Sequence, residues 1–361
     1  MRLEVRDHLD ELRGRWDELV ASQPLPSPFL TSWWVENAAE GRTVLVCCMD
    51  GDELVGGAAF EVDRFGPKRL TVERVRFVGQ GPLAPDHLGV IASPGNQGAV
   101  TRAIGGWLLD GSHMIDLDGL TATSKLPAKI GARVLTETEA PYMELKGEDW
   151  AKSLPGKLRS TISRSGKRLA REGYTVRRVE PSDIDEALET LGDLHESRWQ
   201  DASKFGMRWD TFERIARAGA PCGGVVVHEL ASEERVIASE VELVVGSRVS
   251  FYQAGRLTDH ELRGSGSVLR AAIIDWAFAS GHREFDLLRG GESYKDDWAT
   301  GVRQIRRARG GTGVSGRGAA AIANATLMAA PTALGAVARV LGEEKADRLT
   351  RRIIATVRKE G

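Results

Sequence analysis

Two short stretches of the chain concentrate residue types that can do chemistry. The first is Arg263-Gly264-Ser265-Gly266-Ser267, set between a strand-like run at 249–255 and a helical pattern at 268–280. Glycines at a strand-to-helix turn let the backbone approach an anion, and the first amides of the helix point at it. Arg263 adds a charge-assisted contact. No Gly-Lys-Ser/Thr follows, which excludes a P-loop, and the third glycine of a dinucleotide fingerprint is missing. The plain alternative is a simple helix-entry turn, where glycine is common. The second stretch runs from Asp286 to Trp298, a strand passing into a polar loop that carries Arg289, Glu292, Tyr294 and Lys295. Ligands of open α/β sheets collect at such C-terminal strand ends. A carboxylate, a cation and a phenol there offer a base, a stabiliser for a developing oxyanion and an acid for a leaving group. In that division Glu292 is the base, Lys295 or a strand amide the stabiliser, and Tyr294 or Tyr252 the acid. Arg289 and Trp298 are candidate substrate contacts. The plain alternative is an Arg289–Glu292 salt bridge beside a packed Tyr294 and Trp298.

The elements that must position these residues occur twice. Val44-Leu45-Val46, the polar turn at Asp50-Gly51-Asp52-Glu53 and Val55 onward form one β-hairpin signal; Val225-Val226-Val227, Ser232-Glu233-Glu234 and Val236 onward form another. Val46 and Val227, Glu53 and Glu234, and Val55 and Val236 all lie 181 positions apart. A second echo pairs Gly111, His113, Asp116 and Leu117 with their counterparts in Gly281-His282-Arg283-Glu284-Phe285-Asp286-Leu287. In each copy a helical pattern ends at glycine and a short strand follows. Two echoes in the same order imply a duplication, each copy reading helix, hairpin, further strand, helix, strand. That order predicts an α/β layer fold with helices on a central mixed sheet.

The run strand, Arg-Gly-Ser-Gly, helix, strand resembles the central motif of GNAT acetyltransferases. The fuller pattern resembles the CelD-type members, relatives of the FemAB aminoacyltransferases. It rests on Phe29-Leu30-Thr31-Ser32-Trp33-Trp34, on Lys157-Leu158-Arg159-Ser160 with Arg168-Leu169, and above all on Phe285 to Trp298. The resemblance covers roughly residues 16–309. It implies two tandem GNAT-type domains (α+β within the α/β class), one at 1–150 that forms the acceptor side and one at 151–309 that holds the acyl donor. It also implies that 263–267 cradles the pyrophosphate of acetyl-CoA or another acyl-CoA, for transfer to a small-molecule, sugar or peptide amine without a metal. Lys295 falls where FemAB-type enzymes place a lysine near the donor ester. One departure is Gly264-Ser265-Gly266 in place of the Ser-Pro-Gly frequent in that family. The first copy has Ser93-Pro94-Gly95 in the equivalent place, with no adjacent cation. Gly79 to His87 resembles a turn of the family from which Asp86 reaches acceptor; the plain alternative is a helix cap.

The stretch 152–171 holds Lys152, Lys157, Arg159, Arg164, Lys167, Arg168 and Arg171 and no acid. On a helical wheel Leu158, Ile162, Ser165 and Leu169 share one side and most cations another. That is a solvated face, or a docking strip at 157–171 for coenzyme A, a carrier protein or tRNA. A FemAB-like transferase using aminoacyl-tRNA is therefore the second reading, and a binding protein that kept the fold without the chemistry the third.

Composition sets the outer bounds. The 361 residues suit two domains, and 49 basic against 51 acidic residues predict no bulk attraction to nucleic acid or membrane. Cys47, Cys48 and Cys222 make no disulfide framework or zinc motif. A charged N-terminus without an apolar core predicts a cytoplasmic protein. The uncharged stretch 318–338 is too alanine-rich to predict a membrane span, so 310–361 reads as a Gly-rich linker followed by a helical tail.

Overall fold

The computed structural model describes residues 1–66, 71–147, 149–199 and 205–325. The first half runs β1 (Arg2–Arg6), α1 (Arg13–Ala21), α2 (Ser32–Val35), β2 (Arg42–Asp50), β3 (Glu53–Phe65), β4 (Val72–Phe77), β5 (Ile91–Ala92), α3 (Gln97–Leu109), β6 (Met114–Thr121), α4 (Leu126–Lys129) and β7 (Arg133–Glu144). The second runs α5 (Gly156–Arg171), β8 (Thr175–Arg178), α6 (Ile184–Trp199), α7 (Trp209–Gly219), β9 (Val225–Ala231), β10 (Val236–Val245), β11 (Arg248–Arg256), α8 (Ser265–Ala279), β12 (Glu284–Asp286) and β13 (Gly301–Gly311). Both hairpins read from the sequence form, β2 with β3 and β9 with β10, each antiparallel. In each half the third strand then pairs in parallel with the strand that follows the glycine-terminated helix: β4 with β6, β11 with β12. This is a tandem GNAT-like fold, mixed sheet between helices.

The two sheets are one. Strands follow the order β1-β2-β3-β4-β6-β13-β7-β12-β11-β10-β9-β8, with β5 paired to β3. The halves exchange their last strands: β7 leaves the first half to pair with β12, and β13 returns to lie between β6 and β7. The exchange joins the halves by backbone ladders.

Helices cover both faces, as the strand period of two requires. Gly56 of β3 lies beneath Val100 of α3, and its neighbour Gly57 beneath Trp16 of α1. In the second half α6 covers one face of β10 and β11, while α8, backed by α5, covers the other. One apolar core runs through the first half and under α6 and α7; a second lies between the sheet and the α5–α8 pair. The Phe29-to-Trp34 motif belongs to the shared core, where Phe29 and Trp34 meet edge to face at 4.7 Å.

The expected linker at 310–318 is not one. Gly310 and Gly311 finish β13, and a helix begins at 313 and continues to 325. Close approach explains the glycines: a Cβ at Gly316 would stand 2.1 Å from the His113 carbonyl oxygen, and one at Gly311 2.3 Å from that of Gly316. Ala320 and Ala323 then pack on Met114. The tail from 326 onward, with most of the alanine-rich stretch, lies outside the described residues. Among the described residues no helix is long and apolar enough to cross a membrane.

Candidate active site

α8 begins at Ser265, three residues sooner than the apolar pattern indicated, so Ser265, Gly266 and Ser267 form its first turn. Their amides have no acceptor within the helix. Gly264 before them has φ +88°, the left-handed conformation that glycine adopts without strain. Glycine is also needed for space, because a Cβ there would stand 2.4 Å from Ser165 Oγ of α5. From the same helix Arg168 donates to the Arg263 carbonyl at 2.8 Å. The buried Ser265 hydroxyl has no hydrogen-bond partner among the described residues.

A cavity of about 330 Å³ opens in front of this turn. Its walls include Gly264, Gly266 and Ser267 of the helix start, Tyr294 and Trp298 from the loop after β12, and Glu240 and Arg270. The strands shape it. β11 and β12 pair only over Arg248↔Glu284, Val249↔Phe285 and Ser250↔Asp286. Past Ser250 they part, which leaves β11 amides outside that ladder. β11 also bulges, with Tyr252 as the extra residue opposite the Val241–Glu242 step. Phe251 therefore faces the cavity. Tyr252 is buried among Phe29, Trp34 and Phe212, with ring centroids 5.7 Å away. The Tyr252 hydroxyl donates to the Leu83 carbonyl at 3.0 Å, and burial, helped by the Asp86 charge, lifts its pKa well above that of a free phenol. Of the two candidate acids, only Tyr294 lies on the cavity wall.

The loop after β12 is held by its own side chains. Lys295 is buried and donates to the carbonyls of Arg289 at 2.9 Å and Leu288 at 3.3 Å; Glu292 Oε2 stands 3.0 Å from the same nitrogen. Three acceptors match the three donors of an ammonium. The geometry thus gives Lys295 the work of holding Leu288, at φ +56°, and Gly290, at φ +140°, in their left-handed turns. Burial pushes the Glu292 carboxyl upward, but Lys295 outweighs burial and holds it below the usual carboxylate value. Burial raises the Tyr294 hydroxyl, against the opposing pull of Arg270, so it stays protonated at neutral pH. Trp298 is buried and stacks near Trp150 at 6.5 Å.

Arg289 does not pair with Glu292. Its guanidinium lies against Asp86, against Asp118 at 3.0 Å, and its backbone amide donates to Asp86 Oδ2 at 2.6 Å. Asp86 is fully buried and caps no helix; burial raises its carboxyl despite Arg289. His87, at φ +57°, stands 2.9 Å from Asp286 Oδ2, and Arg248 pairs with the same carboxylate. Burial would raise the Asp286 carboxyl, but His87 and Arg248 reverse that and hold it well below the ordinary range. Two adjacent residues of the first half thus clamp both sides of the loop-bearing strand, which places Asp86 and Arg289 behind the cavity wall.

Sequence reasoning missed Glu240, Arg270 and His87. Glu240 and Glu242 were visible as alternate residues of an apolar strand, hence on one buried face. Arg270 was visible as the one basic residue of a largely apolar helix. Nothing local marked His87. Among the described residues no group of three or more His, Cys, Asp or Glu is placed to hold a metal ion.

Residues 156–296, the stretch that supplies most of this cavity's lining, match the family described as an acetyltransferase (GNAT) domain. The fold has solved counterparts. FemX superposes with a TM-score of 0.62 at 10% identity, over 85% of this chain and 97% of that one. The C-terminal domain of a putative lysylphosphatidylglycerol synthetase from Agrobacterium fabrum gives 0.55 at 15% identity, over 89% and 96%. No curated protein matches the chain. The class is therefore a tandem GNAT-like mixed α/β fold whose second copy matches a GNAT acetyltransferase domain. Identities this low speak for the fold, and the particular reaction must come from the site.

Proposed function

We propose that this protein is an N-acyltransferase that moves an acyl group, acetyl in the first instance, from acyl-CoA to an amine by direct attack. One observation supports the reading: a single cavity is lined both by the helix start at 264–267 and by the Tyr294 phenol, where strands β11 and β12 part. The diphosphate of the donor rests on the amides of Ser265, Gly266 and Ser267, with Arg263 alongside. The pantetheine arm runs past Phe251 toward Tyr294. At the strand opening a β11 amide stabilises the oxyanion. The amine nitrogen attacks the carbonyl carbon, the carbon–sulfur bond breaks, and the sulfur takes the Tyr294 proton. Glu292, ionised at neutral pH, accepts the proton that the amine loses. In this scheme Lys295 shapes the loop, Trp298 walls the cavity, and Asp86 and Arg289 hold the halves in register. Tyr252 is left out of the chemistry. The first copy, 1–150, forms the acceptor side, and the CelD-type affiliation and a cytoplasmic setting belong to the same reading.

The second reading, a FemAB-like use of aminoacyl-tRNA, draws on α5. Lys157, Arg159, Arg164, Lys167 and Arg171 are exposed, and none has an acidic partner among the described residues. Calorimetry with acetyl-CoA and with charged tRNA separates the readings, followed by thiol release with a panel of small amines, aminosugars and peptides. Binding of acetyl-CoA with amine-dependent thiol release supports the first; binding of tRNA alone overturns it. Within the first reading, Tyr294→Phe lowers kcat about 100-fold or more, the range of general acid catalysis.

A further inference from the structure

α8 buries an apolar face through Leu269, Ile273, Ile274 and Ala277, yet places Arg270 among them at 7% exposure. The guanidinium is gripped on one side. Its Nε and Nη2 donate to Glu240 Oε1 and Oε2 at 3.1 and 3.0 Å, the planar fork that two parallel hydrogen bonds to a carboxylate require. On the other side its central carbon lies 3.9 Å from the Phe251 ring centroid and 5.2 Å from that of Tyr294. Glu240, Phe251, Arg270 and Tyr294 all line the donor cavity. A buried ion pair seldom stabilises a fold more than apolar residues of the same volume would. Its place beneath one phenol therefore calls for another account.

We propose that Arg270 is a positioning residue for proton transfer, anchored by Glu240 and acting through Tyr294. The inference rests on Tyr294 being the acid of the proposed reaction. Tyr294 needs such a support. It sits in a short turn, Ser293–Lys295, outside every strand ladder, with its side chain part-exposed at 39%. A ring held only by its own backbone would sample positions that let water reach the leaving sulfur first. Arg270 fixes the ring and lies beside the oxygen that loses the proton. When the carbon–sulfur bond breaks, its electron pair goes to sulfur and the Tyr294 O–H proton follows. The phenolate left behind stands next to a cation until it recovers a proton from water. Arg270 does this without turning the cavity cationic, because Glu240 offsets its charge. Burial, reinforced by the neighbouring Glu240, pushes the Glu242 carboxyl well above its ordinary value, away from carrying a second negative charge. The geometry also explains why lysine is not equivalent here, since an ammonium cannot bond both Glu240 oxygens in parallel and keep a planar face for two rings.

The test is a double-mutant cycle on the full chain, with acetyl-CoA and the most active amine of the panel. Tyr294→Phe, Arg270→Met and the double variant are compared for kcat and for the KM of acetyl-CoA. Arg270→Met is expected to lower kcat about tenfold, with KM changed by less than about threefold, and to lower it no further in the Tyr294→Phe background; such non-additivity is the mark of two residues acting as one unit. Arg270→Lys is expected to recover less than half of the loss. Because Arg270→Met leaves Glu240 buried and unpaired, the Glu240→Met/Arg270→Met pair variant is measured alongside, with the same drop expected. Full turnover in a folded pair variant, or effects of Arg270 and Tyr294 that multiply, would overturn the positioning role. If Tyr294→Phe itself leaves kcat unchanged, the assignment of the acid fails instead, and the two failures are told apart.

Discussion

The guanidinium of Arg289 and the carboxylate of Asp86, 203 residues apart in the chain, form a buried ion pair across the junction of the two halves. Asp86→Ala removes the buried carboxylate of this pair, leaving the guanidinium only the part-exposed Asp118 and a carbonyl, and is expected to destabilise the protein by about 3–5 kcal/mol, measured by denaturant unfolding. Replacing both residues by apolar ones of similar volume recovers most of that loss. A small effect of the single change would mean that Asp118 and the Pro85 carbonyl, which also receive the guanidinium, suffice.

The turn before α8 gives two glycine variants with opposite consequences. A Cβ at Gly266 meets Arg256 Cδ at 3.4 Å, an ordinary contact, so Gly266→Asp should fold. Its carboxylate occupies the anion site, and acetyl-CoA binding is expected to disappear in calorimetry. Gly264→Ala meets Ser165 and a positive φ together, and is expected to lower stability by about 1–3 kcal/mol before any effect on binding.

The buried pair His228–Glu242, 2.8 Å apart, gives a pH dependence with a definite sign. Burial, with Arg178 adding to it, lowers the His228 pKa from 6.5 to about 4. Between those values the unfolded chain binds the proton and the native protein does not, so this histidine's contribution is complete above 6.5 and is lost as the pH falls toward 4. Glu242, raised by burial, contributes in the opposite direction. The comparison is therefore with His228→Gln, which keeps Glu242. From pH 7 to 4 the wild type is expected to lose up to about 3 kcal/mol relative to that variant, read from unfolding curves.

The α5 cations decide how many phosphates the donor brings. Arg164, Lys167 and Arg171 replaced by alanine should change acetyl-CoA affinity by less than about 1.5 kcal/mol, the scale of one charge-assisted contact. Arg168 is left in place because it holds the Arg263 carbonyl. Donor affinity across a salt series is the measurement. A steep wild-type slope that collapses in the variant would point to a polyanion.

What the sequence made legible was local or periodic. The hairpins at 42–65 and 225–245 followed from β-branched runs around polar turns, and the cationic face of α5 from helical spacing. The glycine turn was found by residue type, because few residues tolerate φ +88°. What stayed hidden depends on distant pairing. The sequence reading treated 310–318 as a spacer because glycine permits flexibility and close packing alike, and only the His113 backbone shows which applies. The placement of Tyr252 away from the cavity hung on a one-residue bulge, and Lys295 turned inward because the loop's carbonyls needed donors.

The exchange of β7 and β13 sets a schedule for making the protein. A chain emerging from the ribosome completes β6 and β7 long before residues 301–311 exist, so their facing edges wait unfilled while some 150 residues are added. Open strand edges invite pairing with other chains. The sheet therefore cannot close between β6 and β7 until the strand at 301–311 has been made, and until then those two edges stay open to other partners.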